Sequence, residues 1–269
     1  MRLIDSHCHI DANEFDSDRS QVIERAIANG VHGLVVPGIT AELWPGLIRM
    51  CAINSTLFPA LGLHPVYIHQ HKPIDLQTLS DLLSQYKPLA VGEIGLDFFI
   101  KQTDRIKQIE YFEAQLQLAI QHNLPVILHV RKAHDQVLQS LKKHRVKGGI
   151  CHAFNGSLQQ AYQYIEMGFK LGFGGMLTYV RSNKIRRLAV ELPLQSLVLE
   201  TDAPDMTVSS HHGLRNSPEY LPECLQALAN LRNQTPEMVA EACTNNTLSV
   251  LNFSDHDRLH ITMSDQHSL

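Results

Sequence analysis

Residues 125–131 read Pro125-Val126-Ile127-Leu128-His129-Val130-Arg131. Three apolar residues follow one another with no polar residue between them, the pattern of a strand buried on both faces of a parallel sheet. The run ends on a histidine and an arginine. The same order, apolar body and then polar tip, recurs along the chain. Comparable runs lie at 3–7, 33–39, 58–63, 89–94, 148–154, 169–175 and 196–202. Eight runs in 269 residues leave about 34 residues per unit, the size of a strand–helix pair. Eight such units predict an α/β fold, a single-domain TIM (β/α)8 barrel, with an open doubly wound sheet as the alternative. An open sheet collects ligands mainly at one switch point. A barrel collects them from the C-terminal ends of many strands, and here polar residues stand at the ends of many runs.

The segments between the runs have helical period. Ile106, Ile109, Phe112, Leu116 and Ile120 mark one face of a helix over 104–122, with Thr103 as its expected N-cap. Ser217-Pro218 and Thr235-Pro236 open two more, over about 218–232 and 236–251. No Pro/Gly/Ser-rich linker divides the chain. The expected organisation is one barrel domain over 1–253 and a polar, poorly ordered tail over 254–269.

Composition excludes several classes. Hydrophobic residues make up 44% and charged residues 19%, as in ordinary globular chains. No stretch approaches the ~20 apolar residues of a membrane span. The start, Met1-Arg2-Leu3-Ile4-Asp5, lacks the apolar core of a signal peptide. Five cysteines without a CxxC pair argue against a disulfide scaffold, so a reduced, cytoplasmic protein is expected. The net charge of −4 carries no general signature of nucleic-acid binding. Sixteen histidines are the unusual feature.

His7 and His9 end the first run, and residues i and i+2 of a strand share a face. Glu93 follows the apolar stretch Leu89-Ala90-Val91-Gly92, where an unpaired carboxylate would be costly to bury. His129, His152 and Asp202 end the fifth, sixth and eighth runs, with Glu200 two before Asp202. Singly, each is an ordinary polar residue; together they predict a metal centre at one end of the barrel. Six ligands exceed the three that one catalytic zinc takes from protein, so two divalent ions are expected, Mg, Mn or Zn. His7, His9 and Asp202 would serve one ion, His129 and His152 the other, and the two oxygens of Glu93 would bridge them.

These residues lie in DSHCH (Asp5–His9), GEIGLD (Gly92–Asp97), HVR (His129–Arg131), CHAFNG (Cys151–Gly156) and TDAP (Thr201–Pro204). With GLHP (Gly62–Pro65) and NNTLSVLNF (Asn245–Phe253) in that order, the chain resembles the TatD-like metal-dependent hydrolases, the TatD DNase branch of the amidohydrolase superfamily. The resemblance runs from Leu3 to about Phe253. It implies the same six ligands, with Glu93 where many relatives in the superfamily carry a carbamylated lysine, and it places His64 of GLHP in the pocket. It also implies metal-dependent deoxyribonuclease activity. After TDAP the chain departs from the family, reading Asp205-Met206-Thr207-Val208-Ser209-Ser210-His211-His212, in a loop that commonly shapes specificity.

The expected reaction is hydrolysis of a phosphodiester by a metal-activated water, with Asp202 and Glu93 as catalytic residues and DNA or RNA as substrate. His64 and Arg131 are the expected substrate contacts, Arg131 as a bidentate phosphate clamp. Two basic groups, Lys170/Arg181/Lys184/Arg186/Arg187 and Lys101/Arg105/Lys107, offer a path for a strand. Phe98, Phe99, Phe154 and Tyr179 are candidates to stack bases. The alternative is a hydrolase of small esters, lactones or phosphoesters using the same centre. No membrane and no obligate protein partner are expected.

Overall fold

The computed structural model describes residues 1–263. Its strands are β1 (Leu3–Asp5), β2 (Val31–Pro37), β3 (Leu57–Ala60), β4 (Val91–Asp97), β5 (Val126–Arg131), β6 (Gly149–Cys151), β7 (Phe169–Phe173) and β8 (Leu197–Leu199). Each falls within or beside one of the eight apolar runs. Seven helices fill the intervals: α1 (Arg19–Ala28), α2 (Trp44–Ala52), α3 (Pro73–Tyr86), α4 (Arg105–Gln121), α5 (His134–Lys143), α6 (Leu158–Glu166) and α7 (Asn183–Glu191). After β8 come α8 (Leu221–Arg232), α9 (Pro236–Val250) and α10 (Asp255–Met263).

All strand pairs are parallel, β1-β2-β3 in one ladder and β4 to β8 in another. A parallel bridge between Leu61 and Val91 joins β3 to β4, and the Ser6 amide donates to the Leu199 carbonyl at 3.0 Å to join β8 to β1. The sheet therefore closes, and the fold is a TIM barrel rather than the open doubly wound alternative. Strand alternation sorts the core into two layers. Ile4, Val35, Phe58, Ile127, Ile150 and Val198 form an inner cluster, while Leu34, Val36, Leu128, Cys151, Leu171 and Leu197 pack outward with the helices. On β5 the inner alternation continues from Ile127 to His129. In β4, Gly95 pairs with His129 at φ +144°, and a Cβ there would strike the His129 carbonyl, so the ladder closes only on glycine.

Three local readings need correction. The N-cap of α4 is Asp104, not Thr103: the Asp104 carboxylate accepts from the Lys107 amide at 3.0 Å. Thr103 instead receives the Gln108 amide at 2.7 Å. Ser217 makes no cap hydrogen bond, and Pro218–Tyr220 forms a 3₁₀ turn before α8 begins at Leu221. The expected disordered tail is in part a helix. Ser254 and Asp257 exchange hydrogen bonds at its start, Arg2 donates to the Ile261 carbonyl at 2.8 Å, and Ile261 is fully buried in the inner cluster. Thus α10 closes the barrel at the end where the strands begin. The last part of the expected tail, 264–269, lies outside the described residues.

Candidate metal centre

The predicted ligands come from separate strand ends and meet around one carboxylate. Glu93 does not end its strand; it is the third residue of β4, 1% exposed. Its Oε2 lies 3.2 Å from His7 Nε2 and 3.3 Å from His9 Nε2. Its Oε1 lies 3.1 Å from His129 Nδ1, 3.2 Å from His64 Nε2 and 3.5 Å from His152 Nε2. One oxygen thus faces one pair of histidines, and the other oxygen faces the remaining three. Asp202 Oδ1 stands 3.6 Å from His7 Nε2 and 3.9 Å from His9 Nε2.

Strand geometry is not what brings His7 and His9 together, because β1 stops at Asp5. The turn after it is held by the Asp202 amide donating to the His7 carbonyl and the His9 amide donating to the Ala203 carbonyl, at 2.9 and 2.8 Å. Asp5, fully buried, accepts from the amides of His7 and Thr201 and from the Thr201 hydroxyl. The chain segments carrying His7 and Asp202 are therefore laced together. Asp202 itself sits in the left-handed region, φ +57°.

Burial would raise Glu93, but His64, His7 and His152 outweigh it and hold the carboxyl well below the usual range. Burial pushes His64 down to about 4. It also lifts Asp202 to about 6, against the pull of His152 and His9. Burial lowers His152 and His9, yet the surrounding carboxylates reverse this and bring them to about 10 and about 9.

The donor set fits divalent cations. His7 Nε2 and His9 Nε2 approach to 3.2 Å, and buried Glu93 Oε2 lies beside both without a hydrogen bond. Among the described residues, three groups have ligand atoms within 4.8 Å of one another: His7/Glu93/His152, His7/His9/Asp202 and His64/Glu93/His129. Imidazole with carboxylate suits Zn and its neighbours, and carboxylate with water suits Mg or Mn.

The centre forms the floor of a cavity of about 650 Å³ whose wall includes Tyr67, Gln70, Asp97 and Arg131. Exposed Arg131 lies with its guanidinium carbon 3.8 Å from the ring centre of Phe99, itself 53% exposed. His64 does both things open to it: it lines the cavity and caps the turn at Pro65, its Nδ1 accepting from the Val66 amide at 3.2 Å. Phe154 is buried in the core and cannot stack a base. Much of the basic path is also engaged. Lys170, Lys184, Arg186 and Lys107 donate to carbonyls of Gln195, Asn155, Leu177 and Ile68. Sequence reasoning missed Asp97, 3.1 Å from His129 Nε2, and gave Glu200 no role, although it lies 3.4 Å from His152 Nδ1. Asp97 closes the GEIGLD stretch, which was the one available signal.

A family model for TatD-related DNases matches residues 4–252. The chain belongs to the TatD family. It is similar to the metal-dependent hydrolase YjjV of Escherichia coli, 39% identical over 254 residues, which cover 93% of this chain and 98% of YjjV. The crystal structure of that TatD homologue superposes with a TM-score of 0.91, covering 94% of this chain and 99% of the other. A second TatD relative, the 3′-5′ ssDNA/RNA exonuclease TatD of Salmonella typhimurium, is 30% identical over 246 residues, covering 88% of this chain and 94% of that protein. The TatD family structure from Entamoeba histolytica, 18% identical with a TM-score of 0.82, shares the fold. The chain is thus a metal-dependent hydrolase of the TatD family, with clusters of histidine, glutamate and aspartate able to hold metal. No described helix is long and apolar enough to cross a membrane.

Proposed function

We propose that this chain is a divalent-metal-dependent nuclease that cleaves phosphodiester bonds in unpaired DNA or RNA. The observation that carries the reading is the division of Glu93, one oxygen toward His7 and His9 and the other toward His129 and His152. Two ions fit that division. His7, His9 and Asp202 would hold one, His129 and His152 the other, and Glu93 both. When bound, the ions supply Lewis acidity and a water whose pKa falls toward ~7. Asp202 would help to hold an ion, and its carboxylate would also be placed to accept a proton from the attacking water. The His64 imidazole faces the same space. Arg131 stands at the rim, where its planar fork suits a second phosphate. The Salmonella relative, an ssDNA/RNA exonuclease, supports a single-stranded substrate.

The test is hydrolysis of end-labelled single-stranded and duplex oligonucleotides with Mg, Mn or Zn, and with chelator. Metal-dependent shortening of the single strand is expected, absent in Asp202→Asn. Indifference to every oligonucleotide would overturn the assignment. A second reading, hydrolysis of small esters, lactones or phosphoesters, is favoured by the acidic mouth of the cavity, where exposed Glu14, Glu42 and Asp205 accompany Arg131. Cleavage of p-nitrophenyl esters without nuclease activity would select it.

A further inference from the structure

The mouth of the cavity is charged on two sides. In the closed sheet β1 and β5 are four strands apart in either direction, so they face each other across the barrel. The arc β8-β1-β2 carries acid. Glu14 follows β1, Glu42 follows β2 and Asp205 follows β8; all three are exposed and line the cavity. The arc from β4 to β7 carries base. Lys101 follows β4, Arg131 ends β5 with Lys132 next to it, and Arg181 follows β7, all of them exposed. The acid in the loop after β4, Asp104, caps α4.

We propose that this division fixes how a nucleic-acid strand lies and which end it may present: its phosphates follow the β4–β7 arc, its terminal nucleoside enters the β8-β1-β2 arc, and Glu14, Glu42 and Asp205 reject an end that carries a phosphate. The inference rests on the nuclease reading above and adds the chemistry of the accepted end, a free hydroxyl.

The acid arc is not neutralised from within. None of the three carboxylates forms an ion pair among the described residues. Arg215 donates to the Glu14 carbonyl, but its charge is matched by Asp18, which it grips through both oxygens at 2.8 and 2.7 Å. Arg19, at the start of α1, pairs with Asp16 at 2.6 Å. Two of the carboxylates act on one point although their loops are distant in sequence: burial, then Asp205, Glu93 and Glu14, raise the Tyr67 phenol. A carboxylate only accepts hydrogen bonds, so it tolerates a hydroxyl, which can donate. A terminal phosphate brings about −1.5 to −2 charges and, fully ionised, no donor.

The base arc has the complementary character. The Arg131 guanidinium lies over the Phe99 ring, and that of Arg105 over the Phe98 ring with 4.8 Å to its centre. The Phe98 amide donates to the Arg131 carbonyl at 2.8 Å, tying the two loops together. Planar cations and an exposed aromatic face thus stand side by side, as a run of phosphates and bases requires. A strand crossing the whole mouth would set phosphates against three carboxylates. A strand that stops one nucleoside past the scissile bond has no phosphate left to place there.

The test uses the full chain with manganese and single-stranded oligonucleotides bearing a hydroxyl or a phosphate at the 3′ or the 5′ end, and reads kcat/KM for release of the first nucleotide. At the end that the enzyme consumes, a phosphate should lower kcat/KM at least about tenfold, and at the opposite end the change should stay within about twofold. The penalty should shrink as salt rises, since exposed charges are screened over ~10 Å at 0.1 M and ~3 Å at 1 M. A circular oligonucleotide, which has no end, should be cut at least about tenfold more slowly than its linear form. Glu14→Gln, Glu42→Gln and Asp205→Asn combined should bring the phosphate penalty below about threefold. Arg131→Gln should raise KM for both kinds of end and leave the penalty in place. Equal rates on the two kinds of end, ready cutting of the circle, or a penalty that survives neutralisation of the three carboxylates would overturn the proposal. The comparison of ends needs no variant, so it decides the matter even if the triple variant does not fold. A wild-type chain that cuts no oligonucleotide would instead remove the nuclease reading, and this one with it.

Discussion

Ile261→Ala tests whether the last helix belongs to the barrel. Ile261 is fully buried, and with Ile4 and Phe58 it surrounds the position where a Cβ on Gly33 would lie. The change removes three carbons from the closed end of the inner core. Such Ile→Ala truncations cost about 2–5 kcal/mol, from lost transfer energy plus the cavity left behind. Taking about 3 kcal/mol, and a urea m-value of about 3 kcal/mol/M for a chain of this size, the unfolding midpoint should fall by about 1 M. The corresponding drop in melting temperature is roughly 6–12 °C. The reporter is built in, since the single tryptophan, Trp44, is fully buried and donates to the Gly62 carbonyl at 3.2 Å. Turnover at a temperature where both proteins are folded should not change, because the substitution lies at the far end of the strands from Glu93. A midpoint shift equivalent to less than about 0.5 kcal/mol, the range of surface substitutions, would refute the docking of α10.

Other outcomes follow from the centre and the core. Glu93→Gln keeps the shape and removes the charge between the histidines; turnover should be abolished and at least one equivalent of metal lost in metal analysis of the purified protein. His9 and His152 sit at about 9 and about 10 in the metal-free chain and must be neutral to ligate. Zinc binding at pH 7 should therefore release protons, and affinity should rise as pH rises toward 9. Calorimetry in buffers of different ionisation enthalpy reads the protons directly, and a buffer-independent heat would contradict the assignment. All five cysteines are buried, and burial pushes Cys51 and Cys243 up to about 12. A thiol reagent at pH 8 should label none in the native protein and all five after denaturation.

Much of the barrel was legible because a buried parallel strand cannot disguise its composition. Val126-Ile127-Leu128 announces a strand whatever surrounds it, and Thr235-Pro236 opens α9 with the Thr235 hydroxyl accepting from the Met238 amide. The meeting of His7 with Asp202 was legible only as a coincidence of strand ends, since the backbone lacing that joins them crosses 195 positions. The helix α10 was hidden by its polarity: Asp255, His256 and Leu259 are exposed, and the burial of Ile261 carries the packing. Its capping pair, Ser254 and Asp257, was visible in the sequence and was the better guide. Asp97 and Glu200 were illegible as partners of His129 and His152, because their meaning lies between strands rather than along them.

The closure of the sheet has one more consequence. The hoop is completed where β3 meets β4, by the backbone bonds of Leu89 to Pro59, Leu61 to Ala90 and Gly92 to Leu61, and where β8 meets β1, by Ser6 to Leu199 and the bonds of Asp202 to His7 and His9 to Ala203. At those two joints stand Glu93 on one side and His7 with Asp202 on the other. A cation gripped by these three would act as a rivet, tying the two closing joints of the hoop to each other.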